Sequence, residues 1–451
     1  MNYNDALAYV ESFMTGPALI PGLTPTEHRE RMRARIPRMR YLLRLLGDPH
    51  HRYHVLHVGG TSGKGSTCAF LAAILQAAGY RTGRHTTPYL QSPLEKIMVD
   101  GQPISPAGFA DLVARCRPAF EQVRASPLGP PGYGEVWTAL PLVHFAAAGV
   151  AWAVVEVDMG GRYDPTNLVE PTVAVITTVD YDHIVPLGET LAEIAWHKAG
   201  IIKTGIPAVT GASQPEVLWV LQEESERRAA PLWRVGRDTH YAIRRLDQDG
   251  GWFDFLGLDG TRWDNLHVSL LGAHQVTNAA VALTALQAAR RFADLDISEA
   301  AIRVGLTQAR FPGRLEVVQR DPLVVLDGAH NPEKMERLAQ ALPALFTYGR
   351  LILVLGMIAA KDCVGVVSRI APLADLVIVT TAGAPGKAPV APAEIARLLR
   401  SAGFPADRLV CEPEPLGAVE HALALARPED LVCVTGSLYL LGQVRGRWFP
   451  S

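Results

Sequence analysis

No apolar stretch in the 451 residues of this chain reaches the roughly 18 that a membrane-crossing helix needs. The opening Met1-Asn2-Tyr3-Asn4-Asp5 has neither a basic start nor an apolar core behind it, which argues against a secretory leader and for a cytosolic protein. Charge is nearly balanced, with 43 Lys and Arg against 45 Asp and Glu, a formal net charge of −2. Such a balance supplies no field to draw in nucleic acid or a membrane surface, and neither is expected as a partner. Cysteine is sparse: Cys68, Cys116, Cys363, Cys411 and Cys433 are scattered, without Cys-x-x-Cys spacing. An odd, unspaced set, most of it in apolar runs, reads as reduced, buried thiols. No internal repeat is evident. What is present is an ordinary globular composition, 48% hydrophobic and 20% charged, over a length that exceeds one core and implies two domains.

The most informative stretch is Val55-Leu56-His57-Val58-Gly59-Gly60-Thr61-Ser62-Gly63-Lys64-Gly65-Ser66-Thr67. An apolar strand leads into a turn of glycines and hydroxyls, and a helix-like run from Cys68 to Leu75 follows. Strand, glycine turn and helix N-terminus together present backbone N–H groups and a positive dipole end, to which Lys64 adds a full charge. The pattern departs from the strict P-loop. Val58 stands five places before Gly63, and Gly65 separates Lys64 from the hydroxyl of Ser66. A turn serving only as punctuation has no use for a cation, so a nucleoside triphosphate, ATP, is the expected ligand.

Residues 1–50 read as helical, with a basic stretch around Arg29–Arg44 that is either a solvated face or a phosphate contact. From residue 55 onward short apolar runs alternate with helical segments. Ala151–Val157 and Thr172–Thr177 suit buried parallel strands, and Val136–Ala148 a buried helix. This alternation predicts a parallel sheet covered on both faces. Residues 231–270, rich in Trp, Tyr, Arg, Asp and Gly, read as short hairpins, and Asn278–Ala293 as a helix. Gln308–Arg314 reads as an interdomain link, after which a second α/β pattern begins, with strands at 323–326, 351–355, 376–380 and 431–435. The Pro/Gly/Ala loop 382–392 between them is long enough to be functional.

Chemistry-bearing residues gather at the ends of these strands, where open parallel sheets place their ligands. Glu156 and Asp158 close one strand ahead of Met159-Gly160-Gly161-Arg162, and Asp180, Asp182 and His183 follow the next. Oxygen ligands near a triphosphate loop imply Mg²⁺. A carboxylate such as Glu156 at the end of a hydrophobic strand is hard to explain by packing. Asp158, Asp180 and Asp182 read equally as turn or helix caps, and Lys198, taken alone, as a solvent-facing helix lysine. In the second half Asp327-Gly328-Ala329-His330-Asn331-Pro332 follows a strand, as a plain turn or as a loop presenting Asp and His together. Arg314 lies in the link, where its fork suits phosphate oxygens.

The ordered motifs GGTSGKGST (59–67), TTPYL (86–90), EVWTAL (135–140), VVEVDMGGRYDPTN (154–167), DYDH (180–183), HKAGIIK (197–203), LLGAHQVTNA (270–279), FPGRLE (311–316), DGAHNP (327–332) and TGSLYLLG (435–442) resemble the folylpolyglutamate synthase/dihydrofolate synthase family of the Mur ligase superfamily. The resemblance implies an α/β fold: a parallel-sheet P-loop-type ATPase domain followed by a smaller Rossmann-like domain. Residues 1–310 would be the ATP-binding central domain with its N-terminal helices, and 311–451 the glutamate-ligase domain. The implied reaction is ATP-dependent amide formation, in which a carboxylate of a pterin-linked substrate is phosphorylated and L-glutamate displaces phosphate. ATP and Mg²⁺ are the implied cofactors, with a monovalent cation such as K⁺, and the family is commonly monomeric.

Carried over by position, Gly60, Thr61, Ser62, Gly63, Lys64, Gly65, Ser66 and Thr67 would hold the phosphates. Ser66, Thr87, Glu156 and His183 would ligate magnesium. Asn278 would face the adenine, Arg314 the phosphates, and Asp327 and His330 the nucleotide. Lys198 aligns with a lysine often carbamylated in relatives, and Ser437 would help bind glutamate. Lys64, Lys198 and His330 form the implied catalytic set. The chain departs from the family pattern at Ser62, where asparagine is common, and at Thr87, Tyr89, Asp158, Met159 and His197. It retains Lys361 and Asp362 of a DKD-type motif, and Lys387 stands near a position often held by arginine. These departures bear more on the acid acceptor than on the nucleotide. A ligase for another acid, a nucleotide-binding regulator and a P-loop kinase are the competing readings.

Overall fold

Two capping boxes start the N-terminal helices. Asn2 pairs with Asp5 ahead of α1 (Tyr3–Glu11), and Thr24 with Glu27 ahead of α2 (Pro25–Arg33). A third helix, α3 (Arg35–Leu45), is fastened by Arg38, whose guanidinium meets the buried Glu135 carboxylate at 2.8–3.1 Å. The computed structural model describes residues 1–14, 23–181, 184–359, 362–383 and 387–450. Among these, no helix is long and apolar enough to cross a membrane.

The strands β1 (His54–Gly59), β2 (Thr82–His85), β3 (Met98–Val99), β4 (Gln102–Pro103), β5 (Trp152–Glu156), β6 (Val173–Ile176), β7 (Ala208–Thr210) and β8 (Leu232–Arg234) form one sheet, ordered β4-β3-β2-β5-β1-β6-β7-β8. From β2 to β8 neighbours are parallel, and β3 and β4 add an antiparallel edge. The covering helices are α4 (Lys64–Ala77), α5 (Pro106–Arg124), α6 (Tyr133–Ala148), α7 (Ile184–Leu187), α8 (Leu191–Ala199), α9 (Pro215–Arg227), α10 (Ala273–Phe292) and α11 (Glu299–Gln308). Leu56 and Val58 pack with residues of α4 and α10, whereas Val55, Ala153 and Val155 pack with residues of α5 and α6. With both faces covered, strand residues of either parity are apolar, so the strands read as continuous runs rather than alternations.

The hairpin reading of 231–270 holds for β9 (His240–Asp247), β10 (Gly250–Leu256) and β11 (Arg262–Val268), an antiparallel sheet of its own. Residues 232–234 instead belong to the parallel sheet, as β8. Beyond the link a six-stranded sheet comprises β12 (Glu316–Arg320), β13 (Leu323–Leu326), β14 (Leu351–Leu355), β15 (Leu376–Val379), β16 (Leu409–Cys411) and β17 (Leu431–Thr435), ordered β12-β13-β17-β14-β15-β16. Four of these strands are the ones expected; β12 and β16 are the two edges, too polar or too short to stand out. Residues of α12 (Pro332–Leu345), α13 (Cys363–Ile370) and α14 (Pro392–Ser401) cover one face, and those of α15 (Pro415–Leu425) and α16 (Leu438–Val444) the other. Cys68, Cys116 and Cys433 are buried as expected, but Cys363 is half-buried and Cys411, on the edge strand, is exposed.

The helix that follows the phosphate loop is held from behind by α11. A Cβ at Gly305 would stand 2.4 Å from Ile74 Cα and 2.6 Å from Ile74 N, so the two helices meet backbone to backbone. Gly305→Ala gains helix propensity of up to about 1 kcal/mol but must displace α4, and overpacking of this kind costs about 1–3 kcal/mol or more. The expected outcome is a net loss of about 2 kcal/mol in denaturant unfolding; an unchanged midpoint would show that the helices separate freely.

Candidate functional site

Parallel register brings three strand ends to one level. Val58 of β1 lies beside Glu156 of β5, and Gly59 beside Ile176 of β6. The glycine turn 60–63, the Glu156–Val157 exit and Thr177-Thr178 therefore leave the sheet together. The turn is stitched to β6: Thr61 N donates to Thr178 O at 2.7 Å, Ser62 N to Thr178 Oγ1 at 3.2 Å, and Thr177 Oγ1 to Ser62 O at 2.7 Å. Thr61 Oγ1 donates to Asp180 O and accepts from Asp180 N, both at 3.0 Å. Gly60 has φ +137° and a Cβ there would fall 2.0 Å from Thr177 Oγ1, while Gly63 has φ +83° and its Cβ would meet Asn278 Oδ1 at 2.2 Å. These two glycines are thus required by both backbone conformation and space.

Lys64 opens α4 and folds its Nζ back onto the carbonyls of Gly60 (3.1 Å) and Thr61 (3.4 Å). Ser62 Oγ and Thr67 Oγ1 are buried without a hydrogen-bond partner. Ser66 is buried in the same first turn. Glu156 is 3% exposed and accepts from Thr87 N at 3.1 Å. Burial raises its carboxyl to about 7, opposed by Lys64, the Thr87 N–H and Arg314, and aided by Asp158. A buried, poorly compensated carboxylate beside a loop of unpartnered hydroxyls is a donor set that suits a hard divalent cation with phosphate oxygens. His183 and Asp182, expected beside it, lie outside the described residues, as does Lys361. Lys198 is 2% exposed in α8, directly under the turn at Gly161, whose Cβ would stand 3.2 Å from Lys198 O. The alternative of a solvent-facing helix lysine is therefore excluded.

The second lobe approaches from the link. Phe311 lies on Gly65, where a Cβ would be 2.2 Å from the ring. Arg314 Nη1 donates to Gly313 O at 3.0 Å and lies close to Gly328, and its charge reaches both Asp327 and Glu156. Leu315 takes the left-handed conformation (φ +45°), and Asp327 secures it: Oδ2 accepts Leu315 N and Oδ1 accepts Ala329 N, both at 2.8 Å. Asp327 thus shapes the link and its own loop. His330 Nδ1 lies 2.7 Å from Gly328 O, with Lys334 Nζ 3.3 Å from its Nε2. Ser437 is buried, and its Oγ caps α16 by accepting Tyr439 N at 3.1 Å. Asn278 bonds Gln275 Oε1 at 3.0 Å and sits against Gly63, next to the phosphate turn. Loop 87–91 meets α16, where Gly442 leaves room for Leu90 O, and Gln91 Nε2 donates to Phe449 O at 3.1 Å.

One feature near this cleft had no signal in the sequence. Lys96, 7% exposed, points its ammonium at Trp137 (4.4 Å to the ring centroid), Tyr133 (5.1 Å) and Tyr89 (5.5 Å). Burial lowers it to about 8, and Asp158 is the charge that opposes this. Trp137 Nε1 is buried without a well-aligned hydrogen-bond acceptor. Tyr133 and Trp137 stand at i, i+4 on α6, and Tyr89 and Lys96 reach them from the loops after β2.

Residues 133–286 match the Mur ligase middle domain, and residues 313–438 the Mur ligase glutamate ligase domain. The dihydrofolate synthase/folylpolyglutamate synthase of Bacillus subtilis (strain 168) is 36% identical, over 91% of this chain and 94% of its own length. The folylpolyglutamate synthase of Lacticaseibacillus casei is 34% identical, over 99% and 98%. The Mycobacterium tuberculosis folylpolyglutamate synthase structure complexed with ADP superposes with a TM-score of 0.88 at 32% identity, covering 100% of this chain and 98% of that one.

The Glu156 carboxyl gives a pH test. Its raised value means that the fold favours the protonated form. The associated stability is complete below about 4.5 and is lost as pH climbs through about 7. In metal-free, nucleotide-free protein, the unfolding free energy of the parent relative to Glu156→Gln should fall by about 3 kcal/mol between pH 4.5 and 8. A pH-independent difference would mean that the carboxylate is fully compensated.

Proposed function

This chain belongs to the folylpolyglutamate synthase/dihydrofolate synthase family, and we propose that it closes two lobes over one nucleotide to join L-glutamate to a pterin-linked acid. It is an ATP-dependent acid–amino-acid ligase. A carboxylate is a poor electrophile, so one of its oxygens attacks the γ-phosphorus of ATP, ADP leaves, and an acyl phosphate forms. The amine of glutamate then attacks the acyl carbon, loses a proton and expels phosphate. The single observation carrying this reading is the convergence of the glycine turn, Lys64 and the buried Glu156 on one strand-end level, with Arg314 facing them from the second lobe.

In this proposal residues Gly60–Thr67 surround the phosphates, with the N–H groups of Gly63–Ser66 at the start of α4 donating to them, since those of Thr61 and Ser62 are engaged by Thr178. Lys64 swings from the loop carbonyls to the β/γ oxygens, where its charge offsets the charge spreading over the transferred group. Glu156, His183, Thr87 and Ser66 would hold Mg²⁺, which would supply screening of the phosphate charge during transfer. Arg314 and His330 reach the phosphates from the second lobe. Asp327 acts on them as a positioning residue, through Leu315 and Ala329. Asn278 flanks the nucleotide beside Gly63. Lys198, carbamylated by CO₂ with loss of a proton, would add an anionic oxygen toward the metal. Ser437, at the turn beside Ala329, is assigned to incoming glutamate. The acid lies along Tyr89, Tyr133 and Trp137, where a flat heteroaromatic ring stacks and Lys96 and Trp137 Nε1 donate to its oxygens. Residues 1–310 form the nucleotide lobe and 311–451 the glutamate lobe.

The test is ADP and phosphate release from purified protein with ATP, Mg²⁺, L-glutamate and a panel of dihydropteroate, folate and unrelated acids. Turnover with a pterin-linked acid and glutamate is expected; turnover confined to other acids would reassign the acceptor. Lys64→Ala should abolish turnover with the circular dichroism and melting of the parent. Lys96→Met should raise the KM of the acid about tenfold and leave that of ATP unchanged.

A further inference from the structure

At the opposite end of the central strands, before β1 begins, α3 ends in a tight turn. Gly47 (φ +79°) and Asp48 (φ +46°) are both left-handed, with Gly47 N bonded to Arg44 O at 3.0 Å and Asp48 N to Leu43 O at 2.9 Å. Pro49–His51 then form a single 3₁₀ turn. Asp48 is not a glycine, so this conformation is strained. Its effect is to throw the Asp48 carboxylate to the same side as two consecutive histidines. One carboxylate oxygen of Asp48 and one ring nitrogen each of His50 and His51 lie within 4.8 Å of one another. The two imidazoles are 4.0 Å apart at their centroids. Across from them Glu170, on the loop leading to β6, places Oε2 4.0 Å from His51 Nδ1.

A second, independent observation concerns His50. It is 6% exposed, and its Nδ1 is buried with no hydrogen-bond partner, a costly state for an imidazole nitrogen unless something fills its coordination. The charged groups that reach this ring are Asp48, Glu170 and His51. The C-terminal end of α3 adds negative potential on the same side.

We propose that Asp48, His50, His51 and Glu170 bind one divalent first-row transition ion of the zinc type. Two imidazole nitrogens exclude magnesium and calcium as preferred occupants, and two carboxylates complete a four-donor tetrahedral set. Such an ion draws donors to about 3.4 Å from one another. The adjustment falls on His51 and Glu170, whose side chains are 48% and 78% exposed and have freedom to move. β1 runs from His54 at this end to Gly59 at the phosphate turn, so the site stands a full strand length from the reaction centre. Its role is to fasten the end of α3 to the loop feeding β6.

The experiment uses the full chain, stripped with chelator and dialysed, with Mg²⁺ and a non-hydrolysable ATP analogue present to occupy the cleft. Zn²⁺ titration by calorimetry should give one ion per chain, Co²⁺ should give a visible spectrum characteristic of tetrahedral coordination, and Zn²⁺ should raise the melting temperature. His51→Ala, at a half-exposed position, should weaken Zn²⁺ at least about tenfold and lose both the Co²⁺ spectrum and the melting shift. Its melting without metal and its ligase turnover should match the parent. Glu170→Gln should fall between. Absence of stoichiometric binding, or His51→Ala binding Zn²⁺ as tightly as the parent, overturns the proposal.

Discussion

Glu156 is a carboxylate held almost out of water at the end of a central parallel strand, with Lys64 and Arg314 as the cations that reach it. Among the described residues neither forms an ion pair with it, and the one hydrogen bond it accepts comes from Thr87 N. An isolated buried charge of this kind is normally eliminated from a core or neutralised by a partner. Its retention here organises the site. The turn at Gly60–Gly63, the exit of β6 and the link from the second lobe all stand around a position where positive charge is needed. In the proposed function that need is met by a cation and a triphosphate.

Geometry around that position is set by backbone more than by side chains. Thr61, Ser62, Thr177, Thr178 and Asp180 tie the loop to β6 through a closed set of hydrogen bonds, so the backbone at the start of α4, proposed to meet a phosphate, is fixed in advance. On the other side Asp327 uses both carboxylate oxygens on backbone N–H groups, holding Leu315 in a conformation it would not adopt alone. Arg314 is aimed by that constraint. The lobes are further joined where Gln91 meets Phe449 and Arg445, the latter held by Glu316 of its own lobe, polar contacts of the sort found between domains that move against each other.

Much of this was legible in the chain. The glycine turn, the carboxylate ending an apolar strand and the central strands of both sheets follow from local pattern, because a strand buried on both faces advertises itself as an unbroken apolar run. The edge strands β12 and β16 did not, because half-exposed strands carry ordinary surface residues. Asp327 could be located but not interpreted: nothing local distinguishes a carboxylate aimed at ligand from one that clamps Leu315. Asn278 beside Gly63 and the rings around Lys96 are contacts between distant segments, and a single sequence carries no record of them. Lys198 carries the local pattern of a surface helix lysine, and its burial depends on packing from elsewhere in the chain.

The ring of Phe311 occupies the space that a side chain at position 65 would fill. The usual lysine-hydroxyl pair of phosphate loops therefore has no room here, and the inserted glycine is clearance for an aromatic hinge. Spacing in this loop records how the two lobes are coupled, and a search keyed to the standard dipeptide would pass over proteins built with the same bearing.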